Sequence, residues 1–499
     1  MKITLMLIFT KLIFICYIFQ TFSISRNYHN KNRSYFVDRF SNILNINIVN
    51  IRITLAIILL TALTGCGGGG GNGSMTAENA PSSISATSSP GAEPITNLSN
   101  STPTWLGGIS HHSALYSMGT GHFTAGGMHV VMAGWTSDGT NDDIPVKIYQ
   151  INNDGTGSDV TVALLGSEVN TSVNYPVVAD FNADGVDDLL LAGFHDFPVT
   201  DSASVIYLSR PGQPHRRVEL AGSAWNHGVF IADIDNNGTP DIVDNEGKYW
   251  MNDGKGTFTF IDHNYNINNP YNEWMHGSGV CAGDFNHTGR TQIVITDLQI
   301  NNELPISDTV IFELDSNFRP MLSHTLPTPI FDKNSTQIEL SHDISCRPVD
   351  LNSDGLMDLL VFSRPNLHAR STWTDEGIVQ VLVNRGNWKF DDMTNTAMMG
   401  YPTNVLVSYT PTVTDLNGDG KPDLWLGQFD GTSGRANMAW LNDGNGNFTR
   451  SLANTIDQFG SNGPMVPIKF QDGWRFVFSK NINYGAYDVF NTKQIYSFH

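Results

Sequence analysis

Cysteine is scarce: four occur in 499 residues. Cys16 and Cys66 fall in an N-terminal leader region, so the body carries only Cys281 and Cys346 and has no disulfide framework to organise it. Those two are expected as buried free thiols, with a bridge between them as the alternative in an oxidising compartment. Positive charge is short as well, with 28 Lys+Arg against 48 Asp+Glu. The first 65 residues hold seven of the bases and one acid, Asp38, which leaves 21 bases against 47 acids for the rest. A surface that acidic repels phosphate backbones, so nucleic acid is not an expected partner. Catalytic signatures are missing too: there is no nucleophile elbow, zincin helix, phosphate loop or Cys/His zinc cluster. The reading therefore leans away from an enzyme.

What is plentiful is glycine, 47 residues, placed among aspartate and asparagine in a recurring pattern. Asp415-Leu-Asn417-Gly-Asp419-Gly420-Lys-Pro-Asp423 puts oxygen-bearing side chains at positions 1, 3, 5 and 9 of a nine-residue loop, with glycine at position 6. The same loop occurs at Asp180, Asn182, Asp184, Asp188; at Asp233, Asp235, Asn237, Asp241; and at Asp350, Asn352, Asp354, Asp358. Successive turn residues aim carboxylates inward, a backbone carbonyl at position 7 adds a ligand, and glycine permits the bend. One such loop is more often a plain turn, because Asp, Asn and Gly form turns unaided. Four copies, each with aspartate at position 9, point to about four bound calcium ions; an all-oxygen set suits calcium better than metals that favour thiolate or imidazole. A fifth loop, Asp284-Phe-Asn286-His-Thr288-Gly289-Arg-Thr-Gln292, has lost carboxylates and gained Arg290, and is expected to be empty or weak. The calcium is expected to be structural.

The loops start at 180, 233, 284, 350 and 415, spacings of 53, 51, 66 and 65 residues. A short apolar stretch precedes each, and most are followed by one such as Leu189-Leu-Leu191 or Leu424-Trp-Leu426, which reads as a buried strand. Further on, Asn252-Asp-Gly254 and Asn442-Asp-Gly444 between apolar segments signal hairpins. Weaker copies lie at Gly121–Val131 and Ile468–Phe478. The expectation is all-β: a seven-bladed β-propeller over 104–499 of four-stranded antiparallel blades, with the calcium loops between the first two strands of several blades. No 3.6-period segment flanks the loops, which argues against helix–loop–helix calcium sites.

The D-x-[DN]-x-[DN]-G-x-x-D loops and the N-D-G-x-G-x-F turns resemble the FG-GAP/VCBS repeat family, over roughly 105–499. Its propellers include the head of integrin α subunits and many secreted bacterial proteins, and the bacterial branch is the nearer likeness. Upstream, an apolar run at Leu55–Leu63 after Arg52, ending Leu63-Thr64-Gly65-Cys66, describes a secretory signal. It resembles the lipobox of bacterial lipoproteins, which implies lipidation of Cys66, a membrane held through that lipid, and an outer-membrane location because Gly67 follows. Residues 49–66 are thus the signal and 67–103 a Gly/Ser/Pro-rich tether. Residues 1–48 are a mis-called upstream extension or a membrane segment.

A bulky polar or aromatic residue precedes the first strand of several units: His112, Tyr175, His227, His276, His342 and Tyr409. In a propeller these ring the channel mouth on the face opposite the calcium loops. They are candidates for binding a glycan or protein ligand, or alternatively plugs that satisfy backbone groups at the rim. The leading functional expectation is adhesion or recognition at the cell surface. A polysaccharide-degrading lyase or hydrolase and a scaffold in an envelope assembly are the alternatives.

Overall fold

Short runs of Val, Ile and Leu between glycine-rich loops fold here as edge-to-edge antiparallel strands. The computed structural model describes residues 104–110, 114–136, 143–193, 203–222, 228–262, 275–300, 308–327, 341–365, 377–398, 411–426, 438–451, 465–471, 473–481 and 492–498. The chain divides into two units, Met1–Asn79 and Ala80–His499, and every described residue lies in the second. The expectations for residues 1–48, 49–66 and 67–103, including Cys66, fall outside the described residues.

After β1 (Thr104–Ser110) come β2 (Ala114–Thr124), β3 (Gly127–Thr136), β4 (Ile144–Pro145), β5 (Lys147–Ile151), β6 (Gly157–Asp159) and β7 (Asn170–Thr171). The order β2-β3-β5-β6 makes the first blade, and β4 pairs with β7. The second blade is β8 (Val173–Ala179), β9 (Asp188–Gly193), β10 (Val205–Leu208) and β11 (Arg216–Glu219). The third is β12 (Val229–Ala232), β13 (Asp241–Asp244), β14 (Tyr249–Asn252) and β15 (Phe258–Ile261). A five-stranded sheet follows, from β16 (Met275–His276), β17 (Gly279–Gly283), β18 (Gln292–Ile300), β19 (Asp308–Leu314) and β20 (Pro320–Thr325). The fourth blade is β21 (Ser341–Val349), β22 (Asp358–Pro365), β23 (Ile378–Asn384) and β24 (Phe390–Asp392), and the fifth is β25 (Thr412–Thr414), β26 (Asp423–Leu426), β27 (Met438–Asn442) and β28 (Phe448–Ser451). The sixth combines β29 (Met465–Phe470), β30 (Gly473–Asn481) and β31 (Thr492–Phe498) with β1, whose Trp105 pairs with Tyr496.

The protein is an all-β propeller of four-stranded antiparallel blades, but the expected seven such blades are corrected to six. The unit at 275–325 departs because β16 and β17 both pair with β18, in one register either side of Gly277 and Ser278. Gly277 is pressed so closely onto β18 that a Cβ there would meet Ile295 at 2.3 Å and the Thr296 carbonyl oxygen at 2.8 Å. Its own carbonyl accepts a bond from Asn245 of the third blade (2.7 Å).

Apolar side chains fill the seams between neighbouring sheets. Phe181, Leu190 and Ile206 meet Val229, Ile242 and Trp250 between the second and third blades, and Leu360, Phe362 and Val381 meet Leu424, Trp440 and Phe448 between the fourth and fifth. Trp425 packs on Phe476 of the sixth (centroids 5.0 Å). Val466, Ile468 and Val477 of the sixth pack on Met118, Val130 and Tyr149 of the first, which closes the ring. Each fully buried side chain of this size contributes about 1.5–3 kcal/mol, so the seams outweigh any single loop interaction. The first strands pack on one another about the axis: β2 on β8, β12 on β17, β17 on β21 and β2 on β29.

Cys281 on β17 and Cys346 on β21 form a disulfide, with Cα atoms 5.8 Å apart and both side chains fully buried. This corrects the expectation of two free thiols. Their spacing to the loops put them on neighbouring first strands, and the strand packing then brings them within disulfide reach. Closing a 65-residue loop in this way is worth about 4 kcal/mol in the chain-entropy account. Replacing both cysteines by alanine should lower the urea midpoint accordingly, and a reductant should lower it for the native chain but not for the variant; a reductant without effect on the native chain contradicts the linkage.

Candidate metal centre

Each acidic loop leaves the end of a first strand and returns into the second. Its bend needs left-handed backbone twice. Position 6 is glycine, with φ of 81° at Gly185, 84° at Gly238, 84° at Gly355 and 81° at Gly420. Position 4 is also left-handed, at Ala183 (56°), Asn236 (59°), Ser353 (58°) and Gly418 (78°). For a residue with a Cβ this costs roughly 1–2 kcal/mol, which the loop offsets with side-chain acceptors.

Those acceptors repeat with little variation. The position-1 carboxylate takes the N–H groups of positions 5 and 6: Asp184 and Gly185 donate to Asp180 at 3.2 and 2.8 Å, and Asp354 and Gly355 to Asp350 at 3.2 and 2.9 Å. Asp233 and Asp415 are bonded in the same way. The position-3 oxygen of Asn182, Asp235, Asn352 or Asn417 accepts from position 5. The position-5 oxygen of Asp184, Asn237, Asp354 or Asp419 accepts from position 7. Three side chains are thereby turned toward one another over each bend.

The position-9 aspartate does something different. Asp188, Asp241, Asp358 and Asp423 are fully buried. One oxygen of each accepts the position-2 N–H, from Phe181 (2.7 Å), Ile234 (2.8 Å), Leu351 (2.9 Å) and Leu416 (2.9 Å). The other accepts an N–H at the end of the third strand, from Ser209 (2.6 Å), Asn252 (2.7 Å), Asn384 (2.7 Å) and Asn442 (2.8 Å). Burial pushes all four carboxyls up to about 6, against the pull of these N–H bonds, and the other loop carboxylates add to the push. A cation in the loop relieves that repulsion. At Asp233, Asp235 and Asp241 one oxygen from each lies within 4.8 Å of the others, and this is the one such group of acids among the described residues. An oxygen-only donor set at this spacing fits a hard divalent cation.

The Asp284 loop keeps the frame without the charge. Asp284 accepts from Thr288 (3.0 Å) and Gly289 (2.6 Å), and Gln292 Oε1 accepts the position-2 N–H of Phe285 (2.7 Å). Gln292 Nε2 then donates to Asn286 Oδ1 at position 3 (3.1 Å) and to the Arg290 carbonyl at position 7. An amide NH2 thus donates to two loop oxygens from the place where the other loops carry a carboxylate, which can only accept. In the first blade, His129 stands in for the aspartate: its Nδ1 accepts from Phe123 N–H (3.3 Å), and burial pushes the ring down to about 4, so it stays neutral.

Sequence reasoning missed how the loops join neighbouring sheets. The asparagine that ends the third strand donates its Nδ2 backwards to the position-2 carbonyl of the preceding sheet: Asn252 to Phe181 (2.9 Å), Asn384 to Phe285 (2.8 Å) and Asn442 to Leu351 (2.8 Å). His215 Nε2 does the same to Phe123 (3.1 Å). The available signal was the Asn of the Asn-Asp-Gly turns at Asn252 and Asn442, which was read only as a hairpin; Asn384 stands in Asn-Arg-Gly. Two short helices, α1 (Thr161–Leu165) and α2 (Thr394–Ala397), were missed too. Each follows an Asp-x-Thr step whose aspartate, Asp159 or Asp392, accepts from the threonine N–H and hydroxyl.

On the opposite face, Tyr175 donates its hydroxyl to the Val229 carbonyl and accepts from the Val229 N–H, both at 3.1 Å, which ties β8 to the free edge of β12. His276 ends β16 and His342 lies near the start of β21. His112, His227 and Tyr409 lie outside the described residues.

The family described as the FG-GAP-like repeat matches residues 350–426, from the start of one acidic loop through the strand after the next. Residues 350–426 resemble an FG-GAP-like repeat. Its bonding pattern recurs at the loops starting at Asp180 and Asp233. Among solved structures the chain is similar to the biofilm matrix protein Bap1 of V. cholerae: 12% identity over 81% of this chain and 69% of that one, at a TM-score of 0.33. A likeness that distant carries no argument about this chain. No curated protein matches it.

Replacing Asp423 by alanine strands two buried N–H groups, of Leu416 and Asn442, and should cost about 3 kcal/mol. Urea unfolding in a chelator checks this, and a loss seen only with calcium present would contradict it. Asp244 offers a pH test well away from the loop ligands. Its Oδ1 accepts from Glu246 and Lys248 N–H, its Oδ2 is buried with no partner among the described residues, and burial pushes the carboxyl up to about 7. The folded protein therefore holds a proton that the unfolded chain releases near 3.8, so stability falls as pH rises through that window. Asp244→Asn should gain on the native chain by up to ~4 kcal/mol between pH 4 and pH 8; a gap independent of pH contradicts the assignment.

Proposed function

We propose that this protein is an exported, calcium-binding β-propeller, held at the bacterial outer membrane by a lipid on Cys66, that recognises a glycan or protein ligand. The observation that carries the calcium reading is one oxygen-lined loop built four times with the same hydrogen bonds. Asp180, Asn182, Asp184 and Asp188 would hold one ion, and their counterparts from Asp233, Asp350 and Asp415 would hold three more. The ions neutralise crowded carboxylates and stiffen the turn between the first two strands, a structural task. The buried Cys281–Cys346 disulfide supports an oxidising compartment. The lipobox-like Leu63-Thr64-Gly65-Cys66 supports the anchor. Recognition is assigned to the face opposite the loops, where the chain enters the first strands.

Titrating chelator-stripped protein with CaCl2 in a calorimeter tests this reading. About four sites are expected, with a rise in melting temperature worth roughly 2.7 kcal/mol per site at a hundredfold excess over Kd. The double variant Asp350→Asn, Asp354→Asn should lose one site. No heat and an indifferent melting temperature would end the calcium reading. On a polysaccharide array, binding without release of unsaturated oligosaccharides is the expected result, and release would indicate a lyase.

A further inference from the structure

Arg347 lies on β21, three residues before Asp350 and next to Cys346, whose disulfide fixes β21 against β17. Its Nη1 donates to the Cys346 carbonyl (2.7 Å). Among the described residues nothing takes its other N–H donors, and no carboxylate pairs with it. The titratable group that faces it is Tyr175 on β8. Two further first strands, β12 and β17, stand between β8 and β21, so the electrostatic coupling of Tyr175 to Arg347 runs across the ring and not across a seam. Tyr175 has its hydroxyl bound to Val229. Beside it the backbone is drawn in closely: a Cβ at Gly228 would lie 3.3 Å from the Tyr175 hydroxyl and 3.4 Å from Gly279 Cα.

In a chain with 48 acids and 28 bases, none of the described acids pairs with this guanidinium. It is half-buried, and burial holds it below its ordinary value. Removing a cation from water without a counter-charge is costly, and structures that retain one usually supply the anion from elsewhere. The planar fork of arginine matches a carboxylate through two parallel bonds. The excess negative charge of the chain favours a singly charged group over a phosphate. We propose that Arg347 makes the axis of the ring a binding site for a ligand carboxylate, of the kind a uronic acid presents. The inference rests on the reading of this protein as a recognition module and names the group it recognises.

The test compares the native chain with Arg347→Gln and Arg347→Lys, all in calcium, using trigalacturonate as probe and neutral galactotriose as control. Trigalacturonate should bind the native chain, at least about tenfold more weakly to Arg347→Gln, and with intermediate affinity to Arg347→Lys, as the loss of a charge-assisted pair implies. Acetate alone should raise the melting temperature of the native chain more than that of Arg347→Gln. Calcium-dependent melting of both variants confirms that they fold. Equal trigalacturonate binding by Arg347→Gln, or none by the native chain together with no acetate effect, overturns the proposal. A neutral glycan that binds all three proteins alike removes the carboxylate site and leaves the recognition reading standing.

Discussion

A buried carboxylate that accepts two backbone N–H groups is the constraint on which this ring is built. At Asp188, Asp241, Asp358 and Asp423 one oxygen holds the start of the acidic loop and the other holds the end of the third strand. The loop, the second strand and the third strand of a blade are thereby tied at one buried point. Neither N–H can reach water, so both depend on that side chain. Asn252, Asn384 and Asn442 then extend the tie from one sheet to the loop of the sheet before it. The apolar seams supply most of the free energy, but apolar contact alone does not fix how one sheet is set against the next; these polar ties do.

The same arrangement leads from fold to function. Holding the position-9 aspartate inside leaves the oxygens of positions 1, 3 and 5 grouped over the bend, where on the proposed reading a cation would offset their repulsion. The Asp284 loop makes the point by its exception. There Gln292 replaces both the buried carboxylate and, through its NH2, part of the work of a cation. Among the described loops, that of Asp284 therefore supplies from its own amide a donor that the acidic loops lack. Inside the ring, Tyr175 on β8 is coupled electrostatically to Arg347 on β21, beside the disulfide that joins β17 to β21.

Much of this could be read from the amino-acid order, because both the loop and the strand are short-range patterns. Asp and Asn at alternating positions before glycine specify a tight loop through local hydrogen bonds, and Val/Ile/Leu runs between such loops specify buried strands. What depends on packing between distant segments was not legible. Asn442 looks like a turn residue until its partner, Leu351 of another blade, is known. Cys281 and Cys346 look like isolated thiols until β17 and β21 are seen side by side. The count of four-stranded blades failed at Gly277, where close packing splits a strand that the sequence pattern leaves whole. Arg347 carries no motif at all; its interest comes from having no acidic partner among the described residues.

Amide hydrogen exchange at the position-2 residues tests the central claim most directly, because one loop of the set serves as an internal reference. With calcium added to chelated protein, exchange at Phe181, Ile234, Leu351 and Leu416 should slow, while Phe285, held by Gln292, should not change. Slowing of all five alike, or of none, would contradict the account.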